Sequence, residues 1–226
     1  MRIDRRDGIG LAFAVALAAG CVRLGVWQLD RLSQRRARNA VVLAARERPV
    51  LEVVASLIPD SARDRRVHAR GTYDFAHERL WHGRSYDGVP GVDLITPLRL
   101  GDGSAVLVDR GWAPSPDGYH VDAAAYREPD AADLRGLAVA APRARGDVVP
   151  AVVRDSLPYP LLGFIVQALP PEPALGGAAL GPRRWPAPEL TAGPHLSYAI
   201  QWFSFALIIL VGSVALLRQR GAQTQG

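Results

Sequence analysis

Two long apolar segments lie near the two ends of the chain. The first covers residues 9–29 and contains a single charged side chain, Arg23. The second covers residues 195–217 and carries no formal charge after its opening His195. At about 1.5 Å per residue, a helix over either segment would be about 30 Å long, enough to cross the hydrocarbon core of a bilayer. The pattern therefore predicts two transmembrane helices.

Each apolar segment also has a second interpretation. A basic start followed by an apolar core is typical of a cleaved signal peptide, and the sequence around Cys21 resembles a lipoprotein cleavage site. We favour an uncleaved anchor because the apolar pattern continues past Cys21 to Leu29. The second segment could be the buried helix of a soluble domain, but a charge-free run of this length favours a membrane span.

The charges that flank the two spans bear on topology. Two spans place both termini on one side of the membrane. The tails at residues 1–8 and 218–226 are basic, which favours cytoplasmic termini and an extracytoplasmic domain at residues 30–194 of a cell-membrane protein. Four arginines that directly follow the first span oppose this orientation: Arg31, Arg35, Arg36 and Arg38.

The segment between the spans has the alternation of apolar and polar residues that is typical of β-strands. Residues 65–74 alternate in this way, and two apolar runs flank the turn at residues 101–103, which predicts a hairpin. Further short strands are predicted at residues 134–140, 151–154 and 164–169. Short strands with frequent turns predict an antiparallel sheet, a sandwich or a small barrel, and an α+β fold for the whole chain.

Three other features refine this domain. Residues 31–48 are predicted to be helical, either continuing the first span or leaving it at an angle. Pro97 has no N–H for a sheet ladder, so we expect it at an edge or a bulge. Residues 169–194 are rich in proline and glycine and are interpreted as a linker with little to pack.

Composition excludes several classes of function. All 27 cationic residues are arginine, which excludes lysine Schiff-base chemistry. One cysteine excludes an intrachain disulfide, a Cys-x-x-Cys pair and covalent attachment of c-type haem. The net charge is +5, but no nucleic-acid-binding motif is present, so we expect no nucleic-acid partner. Phosphate-loop, dinucleotide and nucleophile-elbow motifs are also missing, so we expect no enzyme.

His195 is the principal candidate for chemistry. On a helix it shares one face with four groups of interest, Tyr198, Trp202 and the small side chains of Ala199 and Ala206. One interpretation makes His195 and Trp202 anchors at the membrane interface. The other makes neutral imidazole a metal ligand, as in haem proteins, with aromatic side chains beside the ligand and room left by the alanines. Spacing alone leaves both open.

Arg110 is the second candidate, at the end of the predicted hairpin. It could form a surface ion pair with Asp109 beside the turn glycine. Alternatively, its guanidinium could bind a carboxylate such as a haem propionate. The remaining histidines have no metal-site spacing: His68, His77, His82 and His120.

Three segments carry a resemblance to a known family. They are "LGVWQLDR" at the end of the first span, "GTYDFAHERLWHGRSYDGVPGVDLITPLRLGDGSAVLVDRGWAP" in the central domain, and "HLSYAIQWFSFA" at the start of the second span. In this order and spacing, the chain resembles the Surfeit-locus protein 1 family of cytochrome c oxidase assembly factors. Two departures stand out: Asp109 replaces an expected Asn, and Gly193-Pro194 precede the histidine where polar residues are commoner.

The resemblance implies a membrane protein that binds haem a and aids its insertion into the haem-bearing subunit of the oxidase. Implied partners are oxidase subunit I, haem a synthase and membrane lipid. The resemblance assigns haem a to His195, and we expect Tyr198, Trp202 and Arg110 to line the site. The family pattern also maps onto residues with structural or partner-binding roles: Trp27, Gln28, Gly71, Gly111, Trp112 and Gln201.

Two alternative functions remain. The protein could be a scaffold that stabilises oxidase subunits without binding haem, using its intramembrane aromatic residues to pack against other helices. It could also be a membrane-anchored hydrolase that uses Arg110 with a nearby Asp and His, although no nucleophile motif supports this.

Overall fold

The computed structural model describes residues 5–140, 148–171 and 181–223. The chain divides into two compact units. The helical unit comprises Met1–Val41 and Leu190–Gly226, and the barrel unit comprises Val42–Glu189.

The helical unit contains two long helices. Helix α1 spans Arg5–Glu47, and helix α4 spans His195–Gln223. Both are long and apolar enough to cross a membrane. The predicted helix at residues 31–48 is therefore the direct continuation of the first apolar segment. Helix α4 begins at His195, as predicted, and continues past Leu217.

The two long helices pack against each other as an antiparallel pair. The buried positions of α1 recur every three or four residues, at Ala18, Cys21, Gly25 and Leu32. Ala18 and Cys21 pack against Ala206 of α4. At the other end of the pair, Arg220 Nη1 donates to Asp7 Oδ1 over 2.8 Å. Small side chains let two helix backbones approach closely in lipid, and this seam has that composition.

Gly25 shows how tight this contact is. A Cβ atom at Gly25 would lie only 2.8 Å from the Phe203 ring of α4. No such contact exists at Gly20, where a Cβ would meet nothing within 4 Å. The missing side chain at position 25 therefore makes room for an aromatic ring of the other helix.

In the part that the structure describes, the barrel unit contains seven strands and two short α-helices. The strands are β1 (Leu51–Glu52), β2 (Arg66–Tyr73), β3 (Arg79–Tyr86), β4 (Val89–Leu100), β5 (Ala105–Pro114), β6 (Ala131–Ala140) and β7 (Leu161–Ala168). The helices are α2 (Pro59–Ala62) and α3 (Pro150–Val153). The sheet order is β1-β2-β6-β7-β5-β4-β3, and an additional pairing of β2 with β4 closes five of the strands into a barrel.

Gly71 lies where the barrel closes. It pairs with Leu100 of β4 and with Ala132 of β6. A Cβ atom at Gly71 would collide with the backbone carbonyl of Arg99. The resemblance assigned a structural or partner-binding role to this glycine, and the geometry gives it a structural one.

The interior of the barrel is apolar. Its core includes fully buried Val67 of β2, Leu98 of β4, Val108 of β5 and Val166 of β7. A second apolar cluster, which includes Ile95, Leu107 and Ile165, packs with α3 residue Val153. Alternate residues of the same strands thus supply both clusters, since successive side chains point to opposite faces of a strand.

The structure corrects several predictions about this domain. The hairpin of β4 and β5 is confirmed, but the sheet is mixed because β7 runs parallel to β5 and β1 parallel to β2. The strand predicted at residues 151–154 is wrong, because this segment is helical and begins with Pro150. Proline is favoured in the first turn of a helix, where its missing N–H is not needed.

Pro97 lies neither at a sheet edge nor at a bulge. The pairing of β4 with β3 ends at Ile95, and its pairing with β2 begins at Leu98. Pro97 lies between these two pairings, so its missing N–H costs no ladder hydrogen bond. Its carbonyl accepts from Asp74 N over 2.8 Å. The prediction of an edge or a bulge is therefore wrong, although Pro97 does lie where no N–H is needed.

Candidate functional site

His195 is the first residue of α4, and its ring is half-buried. Its Nδ1 atom lies 2.9 Å from Oε1 of Gln28 on α1. The approach to the helix is also attached to α1, because the carbonyl of Thr191 accepts from Arg35 Nε and Asn39 Nδ2. The histidine is therefore held by the opposite helix and does not point freely outward.

The helix face that His195 shares with two alanines is not available to a ligand. Ala199 and Ala206 are 1% and 4% exposed. Ala206 and half-buried Trp202 pack in the cluster with Ala18 and Cys21 of α1. The expectation that the alanines leave room for a flat ligand is wrong, because α1 occupies this face. A ligand of His195 would have to approach the ring from another side.

The other candidates on α4 differ in exposure. Tyr198 is 46% exposed, and the side chain of Gln201 is also exposed. Trp202 makes an edge-to-face contact with Phe205, with ring centroids 5.9 Å apart. Tyr198 and Gln201 therefore lie on the outer surface of the helix pair. Trp202 instead packs between α4 and α1.

Trp27 and Gln28 are neighbours on α1 with different environments. The Trp27 ring is 48% exposed, and the guanidinium of Arg31 lies 5.4 Å from its centroid. Gln28 instead contacts His195 across the helix seam. Of the two residues that the resemblance marks on α1, only Gln28 lies against the candidate ligand.

Arg110 has a different environment from both interpretations of its sequence. It is fully buried, and its partners are protein groups inside the barrel unit. Its Nη2 donates to Glu78 Oε2 over 2.6 Å, and its Nη1 donates to Glu128 Oε2 over 2.9 Å. Further acceptors are the hydroxyl of Thr96 and the carbonyl of Tyr126.

This environment argues against a ligand-binding role for Arg110. Four hydrogen bonds engage most of its five N–H donors, and two carboxylates balance its charge. Arg110 is not exposed, so the surface-pair interpretation is also wrong. Its position instead holds together the strand-end loops that carry Glu78 and Glu128.

Gly111 and Trp112 lie against Arg183, in the described part of the proline-rich segment. Trp112 and Arg183 exchange two backbone hydrogen bonds of 2.8 Å. Gly111 has a φ of +132°, and a Cβ there would lie 2.5 Å from the Arg183 carbonyl oxygen. Only glycine fits both conditions.

Of the proline-rich segment, the structure describes residues 169–171 and 181–194. The interpretation of this segment as a linker with little to pack is wrong for residues 183–186. The indole of Trp185 donates to Asp93 Oδ1 over 2.8 Å. The backbone carbonyl of Trp185 accepts from the side-chain amide of Gln167. The neighbouring Arg184 forms an ion pair with Glu128 over 2.8 Å. One sequence signal could have predicted this packing: Arg183, Arg184 and Trp185 are three consecutive large side chains in a segment of mostly small residues.

Asp109 lies buried near Asp93. Its Oδ1 accepts from Gly111 N over 3.1 Å, so the local hydrogen bond that the departure from Asn put in doubt is present. Burial and, to a smaller extent, the nearby Asp93 together raise the pKa of the Asp109 carboxyl to about 7, while Arg84 opposes the shift. Burial likewise raises the pKa of Asp93, whose carboxylate pairs with Arg84 over 2.5 Å.

Three of the four histidines of the barrel unit contact carboxylates, and the fourth, His82, lies beside the Tyr119 ring. His68 lies between Glu52 and Asp133, at 2.8 and 2.6 Å, and these bonds raise its pKa. His77 contacts Asp74, and His120 contacts Asp117. Among the described residues, no cluster of three or more His, Cys, Asp or Glu side chains has metal-site geometry.

Comparison with known proteins identifies the family. A sequence model of the SURF1 family matches residues 15–207 of the 226-residue chain, which includes most of α1, the barrel unit and the start of α4. The protein belongs to the SURF1 family. Members of this family are generally oxidase assembly factors.

Individual relatives agree with this assignment. A SURF1-like protein of Mycobacterium bovis, described as uncharacterised, is 28% identical over 84% of this chain and 74% of its own length. A SURF1-like protein of Monosiga brevicollis is 28% identical over 90% of this chain and 85% of its own length. The family match itself extends from within α1 through the barrel unit into α4.

Proposed function

We propose that this protein is a membrane-anchored assembly factor of a haem-copper cytochrome c oxidase that carries haem a through His195. Membership of the SURF1 family supports the assembly role. The observation that carries the haem assignment is the half-buried imidazole at the start of α4, held by Gln28. A membrane carrier needs a ligand that binds iron reversibly, and one imidazole meets this need without covalent attachment.

In the proposed arrangement α1 and α4 cross the cell membrane, and the barrel unit lies on the extracytoplasmic side. The exposed apolar faces of both helices support insertion, since a soluble helix pair would not expose so many large side chains. His195 at the end of its span would then lie at the membrane interface. Haem a would bind there as cargo and pass to oxidase subunit I, with haem a synthase as the source.

The residues differ in how well they suit this role. His195 offers a held imidazole, and Tyr198 offers an exposed aromatic ring one turn away. Trp202 supports the site by packing the helices below it. Arg110 has no part in the proposal, because Glu78 and Glu128 already engage its guanidinium.

The occupied alanine face favours a second candidate function. With Ala199 and Ala206 covered by α1, the helix pair has no interhelical cavity at that level. A scaffold that contacts oxidase subunits through its outer helix faces would not need one. Co-purification of subunit I with a protein that never contains haem would support the scaffold and contradict the carrier.

The proposal can be tested by complementation in a strain that lacks the gene. The wild-type gene should restore the haem a absorbance and the activity of the terminal oxidase, and a His195→Ala gene should not. A His120→Ala gene is the matched control, because that ring is exposed and pairs only with Asp117. Full restoration by His195→Ala, at equal protein level, would contradict the carrier role.

A further inference from the structure

The contact between Gln28 and His195 determines which ring nitrogen carries the proton. Gln28 Oε1 lies 2.9 Å from His195 Nδ1. An amide oxygen has lone pairs and no hydrogen, so it can only accept. With the Gln28 amide turned so that Oε1 faces the ring, the hydrogen bond requires a proton on Nδ1, whereas the flipped amide would donate its N–H to an unprotonated Nδ1.

A proton on Nδ1 has a direct consequence for the other nitrogen. In the neutral imidazole only one nitrogen is protonated, so Nε2 then carries the lone pair. Histidine ligands in metal sites are commonly fixed in this way, with the non-ligating N–H donated to an oxygen acceptor. We propose that Gln28 is a positioning residue that fixes the Nδ1-protonated tautomer of His195 and presents Nε2 to the iron of a porphyrin. The inference rests on the proposed haem-carrier function.

Two features of the helix pair let Gln28 act in this way. Gly25 lies one turn before Gln28 on α1 and contacts the Phe203 ring, so the helices are close enough for the amide to reach the imidazole. Thr191, four residues before His195, is attached to α1 through Arg35 and Asn39. Both partners of the hydrogen bond are therefore fixed by contacts on either side of it.

The Nε2 edge of the ring lies beside a glycine. Gly193 has a φ of +70°, a conformation that favours glycine. A Cβ atom at Gly193 would lie 3.5 Å from His195 Cδ2 and 3.7 Å from Nε2. Since no side chain is present there, nothing from position 193 covers this edge. The Gly193-Pro194 pair, which departs from the family pattern, thus places no side chain from position 193 over this edge and directly precedes the start of α4 at the histidine.

The tautomer can be measured in the protein without haem. Full-length protein with ¹⁵N-labelled histidine, in detergent micelles at a pH above the ordinary imidazole range, gives distinct nitrogen shifts for the two tautomers. His195→Ala assigns the signal by its loss. The wild type should show protonated Nδ1, and Gln28→Leu should show a mixture of tautomers. Protonated Nε2 in the wild type, or the same tautomer in Gln28→Leu, would overturn the inference.

Haem a titration of the same variants provides the second test. Gln28→Leu should weaken binding about tenfold to a hundredfold, the usual effect of losing the hydrogen-bond partner of a ligating histidine. Gln28→Glu keeps an acceptor, so it should retain binding and lower the reduction potential of the bound haem, because a carboxylate makes the imidazole a stronger donor. Gln34→Leu is the control for the same change at an exposed position on α1.

The outcomes separate the inference from the function on which it rests. Wild-type affinity in Gln28→Leu, together with loss of binding in His195→Ala, would reject the positioning role and leave the carrier function intact. Full binding in His195→Ala would reject the ligand assignment, whatever tautomer the imidazole shows. Wild-type affinity and potential in both Gln28 variants would also reject the positioning role.

Discussion

Asp109 shows, at the scale of one residue, how burial controls a charge. Its pKa in the folded protein is about 7, against an ordinary value of 3.8. Below the ordinary value the carboxyl is protonated in both folded and unfolded chains, so burial costs no ionisation energy. Between about pH 4 and pH 7 the unfolded chain loses this proton first, and stability falls. Above pH 7 the carboxylate is ionised in both states, so the free-energy cost of burying its charge no longer changes with pH.

Replacing Asp109 by Asn should therefore stabilise the protein at neutral and alkaline pH. Asn Oδ1 can still accept from Gly111 N, and position 109 no longer carries a charge. The gain above pH 7 has an upper limit of roughly 4 kcal/mol, since each pKa unit corresponds to about 1.4 kcal/mol. It should vanish near pH 4. Chemical unfolding across this pH range measures it, with exposed Asp155→Asn as control. A gain that does not change with pH would contradict the raised pKa.

Arg110 should behave as a structural residue. In Arg110→Ala, Glu78 and Glu128 would lose the charge that balances them, and breaking such a buried pair typically costs about 3–5 kcal/mol. Arg63→Ala, which removes an exposed pair with Asp60, should change stability little. Thermal unfolding compares the two. Loss of haem binding in Arg110→Ala with an unchanged unfolding temperature would instead support the propionate interpretation.

At the scale of elements, the sequence predicts the helices and the central hairpin well. Long apolar runs and the Gly-Asp-Gly turn are local signals, so residues 9–29 and 101–103 suffice to find them. The partners of Arg110 could not be found in this way, because Glu78 and Glu128 lie 32 and 18 residues away in sequence. The apolar content of residues 151–154 predicts a strand, but the helix-start signal of Pro150 decides the structure.

The seam between α1 and α4 should tolerate no larger residue at Gly25. In Gly25→Val the new side chain would overlap the Phe203 ring, and the helix pair should lose stability. Gly20→Val is the matched control, because position 20 has open space around it. Unfolding temperatures in detergent, followed by circular dichroism, compare the two variants. Equal temperatures would show that the helices do not pack through Gly25.

At the scale of the whole molecule, three short segments indicate the family, whose sequence model covers residues 15–207. Closure of the barrel was not predictable. The pairing of β2 with β4 depends on the close approach at Gly71, and the parallel pairing of β5 with β7 joins strands distant in sequence. Helix spacing and the family resemblance both indicate His195, and the resemblance also marks Gln28. The contact between these two residues became evident only from the packing of the two helices.

The proposed topology predicts that the barrel unit is accessible from outside the cell membrane and that the end of α4 is accessible only from the cytoplasm. The single native thiol can be removed as Cys21→Ala, and a new one placed at exposed Val152 of the barrel unit or at exposed Gln219 near the end of α4. A membrane-impermeant maleimide should label Val152→Cys in intact spheroplasts and label Gln219→Cys only after lysis. The opposite pattern would reverse the orientation.

The central claim is that His195 provides the protein ligand of haem a. The most direct measurement is the absorbance spectrum of purified full-length protein titrated with haem a, compared between wild type and His195→Ala. The wild type should give a saturable spectrum of ligated haem, and the variant should not. Identical spectra and affinities in the two proteins would contradict the claim.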